Sequence, residues 1–216
     1  MRPDASPAEL RQWITHHLDP LDEHILGGME VRSDLSLDPA KAADNTIAWT
    51  PAAVLVGLVE REHGLSVLLT RRADTLRSHT GQVAFPGGRS DPGETPWATA
   101  LREAHEEIGL DPSLVELAGL STPYRTAGTG FQITPVVGFV SPDLNLTPNP
   151  GEVAEIFETP FGFLMDPANL SQQERETPAG DRRRFYAATW EGQYIWGATA
   201  GMLRALYERL YGAAVA

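Results

Sequence analysis

Residues 88–110 have the sequence GRSDPGETPWATALREAHEEIGL, which carries the start and stop signals of one helix and its flanking loops. Thr95 is of a type that commonly caps helices, and Pro96 follows it at a position where a missing N–H costs no hydrogen bond. Gly109 stands just past the helical pattern, where chains often turn into a left-handed conformation. The stretch therefore predicts a helix over Pro96–Ile108 with a loop on each side.

This helix has two chemically different faces. At about 100° per residue, its apolar residues recur at spacings of four, three and four, so they share one side that we expect to pack on a sheet. These residues are Trp97, Leu101, Ala104 and Ile108. Three glutamates fall roughly on the opposite side, namely Glu103, Glu106 and Glu107.

The three glutamates repel one another, at a cost of roughly a few tenths of a kcal/mol per pair on an isolated helix. Arg102 offsets part of this cost if it pairs with Glu106, four residues later. A divalent cation would offset more, since Mg²⁺ is held by carboxylate oxygens together with water and substrate phosphates. Most glutamate clusters of this kind are simply solvated, so the surrounding pattern has to decide.

That pattern is Gly88, then Glu94 after five residues, then Arg102-Glu103-Ala104-His105-Glu106-Glu107-Ile108-Gly109-Leu110 after seven more. It resembles the Nudix box, the signature of the Nudix hydrolase family, throughout its length. Ala104 is the one weaker match, because a larger aliphatic residue is common there. The resemblance implies a Nudix-type α/β/α sandwich with a mixed β-sheet and a loop–helix–loop metal site.

The same resemblance implies a role for each acidic residue of the box. Glu103 and Glu107 would be the principal ligands of Mg²⁺ or Mn²⁺, with Glu106 assisting and the backbone of Gly88 completing the metal site. Glu94 would hold the arginine and the loop.

The residue that accepts the proton from the attacking water is left open. The base of such an enzyme is either a glutamate of the box or one from a later loop, and Glu152 and Glu155 are candidates of the second kind.

Residues upstream of the box bear on the substrate. They are Leu68-Leu69-Thr70-Arg71-Arg72-Ala73, then Arg77, Gly81 and Phe85-Pro86-Gly87-Gly88, and they resemble the signature of the coenzyme A pyrophosphatase branch. This implies hydrolysis of coenzyme A or acyl-coenzyme A to adenosine 3′,5′-bisphosphate and 4′-phosphopantetheine or its acylated form. We expect substrate contacts from Arg72, Arg77, Phe85, Gly87 and Gly88, with the glycines letting the backbone approach the metal and the diphosphate.

Three alternatives stay open at this point. Arg72 and Arg77 are also explained as loop arginines that pair with neighbours such as Asp74. Another Nudix specificity, for ADP-ribose or an NADH-type dinucleotide, is the second alternative. The third is a non-catalytic nucleotide-binding module, which would be expected to lose a metal ligand, whereas Glu103, Glu106 and Glu107 are all present.

The rest of the pattern predicts one mixed α/β domain over 1–216, in which residues 1–50 lie outside any motif and have no assigned role. We expect helices at Ser6–Leu18 and Thr199–Tyr211 and a first hairpin of Ala52–Val59 with Leu65–Thr70. Further strands are predicted at Val115–Pro123, Ile133–Val140 and Glu152–Pro160, with a second hairpin turning at Glu191-Gly192. Irregular structure is expected for the Arg71–Gly93 loop, the Ser171–Gly180 connection and a solvated turn at Arg182-Arg183-Arg184.

Composition narrows the classes of function. A net charge of −12 over 216 residues argues against general nucleic-acid binding. The absence of cysteine excludes disulfides, thiolate zinc sites and cysteine nucleophiles. The chain shows no apolar run long enough for a membrane span and no hydrophobic signal core, so we expect a cytoplasmic protein; its oligomeric state is left open.

Overall fold

The computed structural model describes residues 6–33, 48–62, 64–73, 81–126, 129–176 and 182–212. Its helices are α1 (Pro7–His16), α2 (Pro96–Ile108), α3 (Phe161–Leu164) and α4 (Ala198–Tyr211), with short 3-10 turns at Glu23–Gly28 and Pro112–Leu114. Its first six strands are β1 (Arg32–Ser33), β2 (Thr50–Arg61), β3 (Gly64–Arg72), β4 (Val83–Ala84), β5 (Gly87–Arg89) and β6 (Val115–Leu120). The others are β7 (Tyr124–Thr126), β8 (Phe131–Val140), β9 (Val153–Pro160), β10 (Ser171–Glu176), β11 (Arg182–Trp190) and β12 (Gln193–Trp196).

A nine-stranded mixed sheet is built around β2. This strand runs parallel to β8 along ten residue pairs and antiparallel to both β3 and β5. On one side β3 continues to β9 and β4, and on the other β8 continues to β6 and β7, which pairs in parallel with β1. Strands β10, β11 and β12 form a separate antiparallel sheet.

Alternation along β2 separates two apolar layers. Val54, Val56 and Leu58 belong to the cluster that contains the buried face of α4, including Leu203 and Leu206. The intervening residues, among them Ala53 and Leu55, pack with Ala100, Ala104 and Ile108 of α2. Because successive strand residues point to opposite faces, one strand serves both helices. The α/β/α arrangement expected from the sequence is confirmed.

The predicted metal-site helix has the expected ends. It spans Pro96–Ile108, Thr95 accepts a hydrogen bond from the Ala98 N–H at 3.2 Å, and Gly109 is left-handed at φ 67°. The β2–β3 hairpin, the β11–β12 hairpin at Glu191-Gly192 and the N-terminal helix with its Ser6 cap are also confirmed.

Three expectations of irregular structure were wrong. Within the Arg71–Gly93 stretch, Gly87–Arg89 pairs with Ala52–Val54 as a strand, and Val83–Ala84 pairs with β3. The Ser171–Gly180 connection contains β10, whose six residues are all exposed and so lack the alternation that signals a strand. Arg182–Arg184 is the start of β11 rather than a turn; residues 177–180 lie outside the described residues.

No helix among the described residues has the length and apolar character needed to cross a membrane.

One close approach holds α4 against the large sheet. A Cβ added at Gly201 would collide with the ring and hydroxyl of Tyr124, which is itself 3% exposed. Tyr124 is almost completely buried, so its ring could move away only by disturbing residues packed around it. Glycine is therefore required at this point of the helix, although it weakens a helix interior.

Replacing Gly201 with Ala should lower the free energy of unfolding by about 1–3 kcal/mol, the usual cost of overpacking a filled core. Chemical denaturation monitored by circular dichroism would measure it. The matched control is Gly162→Ala in α3, where an added Cβ meets nothing within 4 Å. Equal stability of the two variants would contradict the packing interpretation.

Candidate functional site

Arg102 is the centre of an ion-pair network at the middle of α2. Its Nε and Nη2 donate to the two carboxylate oxygens of Glu94 at 2.8 and 2.9 Å. Its Nη1 donates to Glu103 at 2.8 Å and to Glu106 at 3.1 Å, which is the pair expected from the helical spacing. Nη2 also donates to the carbonyl oxygen of Arg89 in β5. One guanidinium thus joins the helix, the preceding loop and the sheet.

Glu94 fastens the loop that enters the helix. Besides the Arg102 contact, it accepts hydrogen bonds from the Asp91 N–H and the Thr99 hydroxyl, each at 2.9 Å. The Arg102 hydrogen bonds, followed by the one from Asp91, lower the pKa of Glu94 to about 2. Glu94 therefore stays ionised at any ordinary pH and keeps the loop closed on α2.

Glu107 does not lie on the solvent side of α2. It is 6% exposed, and its Oε2 accepts a hydrogen bond from the Gly87 N–H at 3.1 Å. Three residues separate it from Ala104, so it lies only about 60° from that buried position on the helix. The expectation that all three glutamates oppose the apolar face was thus wrong for Glu107.

The environment of Glu107 favours its neutral form. Burial is the main cause that raises its pKa to about 7, and the charges of Glu103 and Glu152 raise it further. The Gly87 N–H and the positive charge of Arg72 act in the opposite direction. Burial likewise raises the pKa of Glu103 despite its contact with Arg102. Both carboxylates are therefore easier to protonate than an exposed glutamate.

The glycine pair gives the carboxylates room. A Cβ on Gly88 would lie 2.6 Å from the carboxyl carbon of Glu103, and one on Gly87 would collide with the backbone of Ala53 and Val54 in β2. A side chain at either position would force β5 away from its neighbours. Gly87 lies close to β2 and Gly88 lies close to Glu103, so neither position has room for a side chain. The sequence alone did not reveal this reason for the two glycines.

The two later-loop glutamates have different surroundings. The charge of Glu152 acts on both Glu103 and Glu107. Glu155 instead accepts hydrogen bonds from Arg71 Nε at 3.2 Å and from Gln193 Nε2 at 3.0 Å. Of the two candidate bases, Glu152 is the one that lies with the carboxylates of α2.

Asn149 is a positioning residue that the sequence analysis missed. Its N–H donates to the carbonyl oxygen of Glu107 at 2.8 Å, and its own carbonyl oxygen accepts from the Glu152 N–H at 3.0 Å. These backbone bonds tie the loop that carries Glu152 to the end of α2. The Asn-Pro-Gly run at residues 149–151 is a turn signal, but nothing in it indicates which helix the turn meets.

Of the expected substrate residues, Arg72 acts electrostatically on Glu107, whereas Phe85 is buried in the core. The positive charge of Arg72 acts on Glu107, and its Nε is buried with no hydrogen-bond partner among the described residues. Phe85 is 2% exposed and packs in the core cluster of α4, so its side chain serves packing instead of substrate contact. Arg77 lies outside the described residues.

The carboxylates are close but not already arranged around a point. Among the described residues, no three His, Cys, Asp or Glu side chains form a ready group of metal donors. Arg102 accounts for this, because it draws both Glu103 and Glu106 into hydrogen bonds. The donor set still fits a hard cation chemically, because it consists of oxygens whose mutual repulsion and burial raise the pKa values of Glu103 and Glu107.

Known proteins match the part of the chain that contains this site. The NUDIX domain family matches residues 49–188. The chain is 42% identical over 187 residues to the uncharacterized Nudix hydrolase NudL of Enterobacter sp. (strain 638), covering 86% of this chain and 96% of that protein. It is 40% identical over 167 residues to NudL of Escherichia coli O7:K1, covering 74% of this chain and 83% of that one.

Solved structures give weaker matches. The Nudix hydrolase RenU of M. smegmatis superposes with a TM-score of 0.46 at 28% identity, covering 54% of this chain and 74% of that one. For a C. elegans Ap4A hydrolase complex the TM-score is 0.44 at 19% identity, with 52% and 81% covered. On the family match and the relatives together, the chain belongs to the Nudix hydrolase family.

Proposed function

We propose that this chain is a Mg²⁺- or Mn²⁺-dependent pyrophosphatase that hydrolyses the diphosphate of coenzyme A or acyl-coenzyme A. The products would be adenosine 3′,5′-bisphosphate and 4′-phosphopantetheine or its acylated form. The observation that carries the proposal is Arg72, a half-buried arginine whose charge acts on Glu107 and whose buried Nε has no hydrogen-bond partner among the described residues. A phosphate oxygen would supply the missing hydrogen-bond acceptor.

The cation would be held by Glu103 and Glu107, with Glu106 assisting and the backbone of Gly88 at its side. When bound, such an ion neutralises phosphoryl oxygens and lowers the pKa of the attacking water. The chain's own contribution is the placement of these groups. Glu94 and Arg102 hold Glu103 against β5, while the Gly87 N–H fixes the carboxylate of Glu107.

Arg72 would bind a non-bridging oxygen of the diphosphate and orient the phosphorus for in-line attack by water. The attacking water must lose a proton to a carboxylate. We assign this role to Glu152, because its charge acts directly on Glu103 and Glu107 whereas Glu155 is engaged by Arg71 and Gln193.

Glu103→Gln and Glu107→Gln should each lower kcat by roughly two or more orders of magnitude, because each removes a charged ligand for the cation. Glutamine keeps the size of the side chain, so circular dichroism and the melting temperature should show an intact fold. Glu23→Gln, at an exposed position of a 3-10 turn, serves as the charge-matched control. Near-normal turnover of either site variant would refute the metal assignment.

The assignment of the base is tested by the pair Glu152→Gln and Glu155→Gln. General-base catalysis typically contributes about 10²–10⁴-fold, so the first variant should lose that much in kcat. The second should lose far less, since Glu155 contacts Arg71 and Gln193. The reverse order of effects would assign the base to Glu155.

Two features favour coenzyme A over other nucleoside diphosphate derivatives. The sequence from Leu68 to Gly88 resembles the coenzyme A pyrophosphatase signature. A chain with net charge −12 also needs local arginines to attract a substrate with an additional phosphate. The alternatives are ADP-ribose and NADH-type dinucleotides, which share the diphosphate but lack the 3′-phosphate. A module that binds without cleaving is disfavoured, because Glu103, Glu106 and Glu107 are retained.

A substrate panel tests this choice directly. Hydrolysis of coenzyme A, acetyl-coenzyme A, 3′-dephospho-coenzyme A, ADP-ribose and NADH should be compared with Mg²⁺ and with Mn²⁺. We expect the highest kcat/KM for coenzyme A or its acyl form. Equal or faster hydrolysis of ADP-ribose would overturn the proposal.

The panel also locates the action of Arg72. Arg72→Ala should lower kcat/KM for coenzyme A by about tenfold or more, the typical cost of a lost charge-assisted hydrogen bond. If Arg72 contacts the diphosphate, the loss should be the same for 3′-dephospho-coenzyme A; a loss confined to coenzyme A would place it on the 3′-phosphate. Arg61→Ala, remote on the β2–β3 hairpin and paired with Glu158, is the control.

A further inference from the structure

The three-stranded sheet has one face that combines aromatic rings with arginine. Alternation along β10, β11 and β12 places nine side chains on this side, and six of them are here called the aromatic face: Gln173, Arg175, Arg183, Phe185, Tyr194 and Trp196. The other side carries Tyr186, Ala188 and Ile195, which pack in the core with α4. The aromatic face is thus turned away from the core.

Charge is sorted between the two sides of this sheet. Glu174 lies on the opposite side, where it pairs with Arg182 and Arg184. In the described strands, the positions on the aromatic face include two arginines and no carboxylate. Since the whole chain has 29 acidic and 17 basic residues, a face without acidic groups is unusual and favours an anionic partner.

The rings are already arranged against one another. Tyr194 and Trp196 have centroids 6.3 Å apart with planes inclined by 23°, and Phe185 meets Trp196 edge-on at 5.7 Å. The guanidinium of Arg175 lies 5.4 Å from the centre of the Trp196 ring. Tyr194 is fixed by its hydroxyl, which donates to Gln173 at 2.8 Å, yet it is 41% exposed. Such pre-ordered rings offer a flat surface with little entropy left to lose on binding.

The small sheet that carries the aromatic face approaches the end of β3. Trp196 is followed by Gly197, where a Cβ would lie 3.6 Å from Gln82 Nε2. The carbonyl oxygen of Gln82 accepts the Arg72 N–H at 3.0 Å. The end of β12 therefore lies near the backbone of the arginine that we place on the diphosphate.

We propose that the aromatic face binds the adenosine 3′-phosphate half of the substrate. The purine stacks on Trp196 and its ring neighbours, and Arg175 attracts the 3′-phosphate. This assignment rests on the proposed function. It commits to a purine nucleotide with an additional phosphate, because stacking uses the rings and the arginines require an anion.

The two halves of the substrate allow a test that separates this surface from catalysis. Binding of adenosine 3′,5′-bisphosphate and of 4′-phosphopantetheine should be measured by calorimetry on the full chain. Trp196→Leu should raise the Kd of the bisphosphate about tenfold or more, the usual range for a lost base–aromatic stack, and leave that of 4′-phosphopantetheine unchanged. Trp196→Phe should restore most of the affinity.

Arg175→Gln is the second variant. Arg175 is exposed on β10, so this substitution should leave the fold intact, and a loss of binding would not be caused by misfolding. It should weaken the bisphosphate more than adenosine 5′-monophosphate, and the difference should shrink at high salt. Arg184→Gln is the matched control, because it removes the same charge from the opposite side of the same sheet.

Unchanged bisphosphate affinity in both Trp196→Leu and Arg175→Gln would overturn the proposal. It would also be overturned if these variants changed their oligomeric state on size-exclusion chromatography but bound the bisphosphate as the wild type does, because the aromatic face would then be an interface between copies of the chain. Failure of the proposed function appears differently. In that case coenzyme A is not hydrolysed by the wild type, while the aromatic face still binds the bisphosphate and loses it in Trp196→Leu.

Discussion

The buried carboxylate of Glu107 is the constraint on which the site depends. A charge removed from water is costly unless hydrogen bonds and opposite charges surround it. Glu107 receives one hydrogen bond from Gly87 and the field of Arg72, but Glu103 and Glu152 oppose it, so its pKa rises to about 7. The end of α2, the strand β5 and the last residue of β3 have to meet at this one side chain.

This constraint explains the local sequence before and within α2. Gly87 and Gly88 are needed because side chains there would meet β2 and Glu103. Arg102 then holds Glu103 in the space that Gly88 leaves free, and Glu94 holds Arg102. Each residue of the motif thus limits the position of the next, which is how a short helix keeps three carboxylates together against their repulsion.

The helix and its caps could be predicted because they depend on neighbouring residues: Thr95, Pro96 and Gly109 act within one turn. The burial of Glu107 could not, because it depends on β5, a strand of two glycines and an arginine with no apolar alternation. The same limit applies to β10, whose pairing with β11 uses backbone groups and exposed polar residues. Phe85 shows the converse error, since a motif position was taken for a contact when its side chain fills the core.

The partners of two adjacent arginines could be found only from the three-dimensional structure. Arg71 and Arg72 are consecutive in a strand, so their side chains point to opposite faces of the sheet. Arg71 meets Glu155, which Gln193 of β12 also contacts, whereas the charge of Arg72 acts on Glu107 of α2. One arginine therefore joins the large sheet to the small one, while the buried Nε of the other has no hydrogen-bond partner in the part of the chain that the structure describes. A buried donor without a partner costs free energy, so an anion that binds at Arg72, as proposed, would offset that cost.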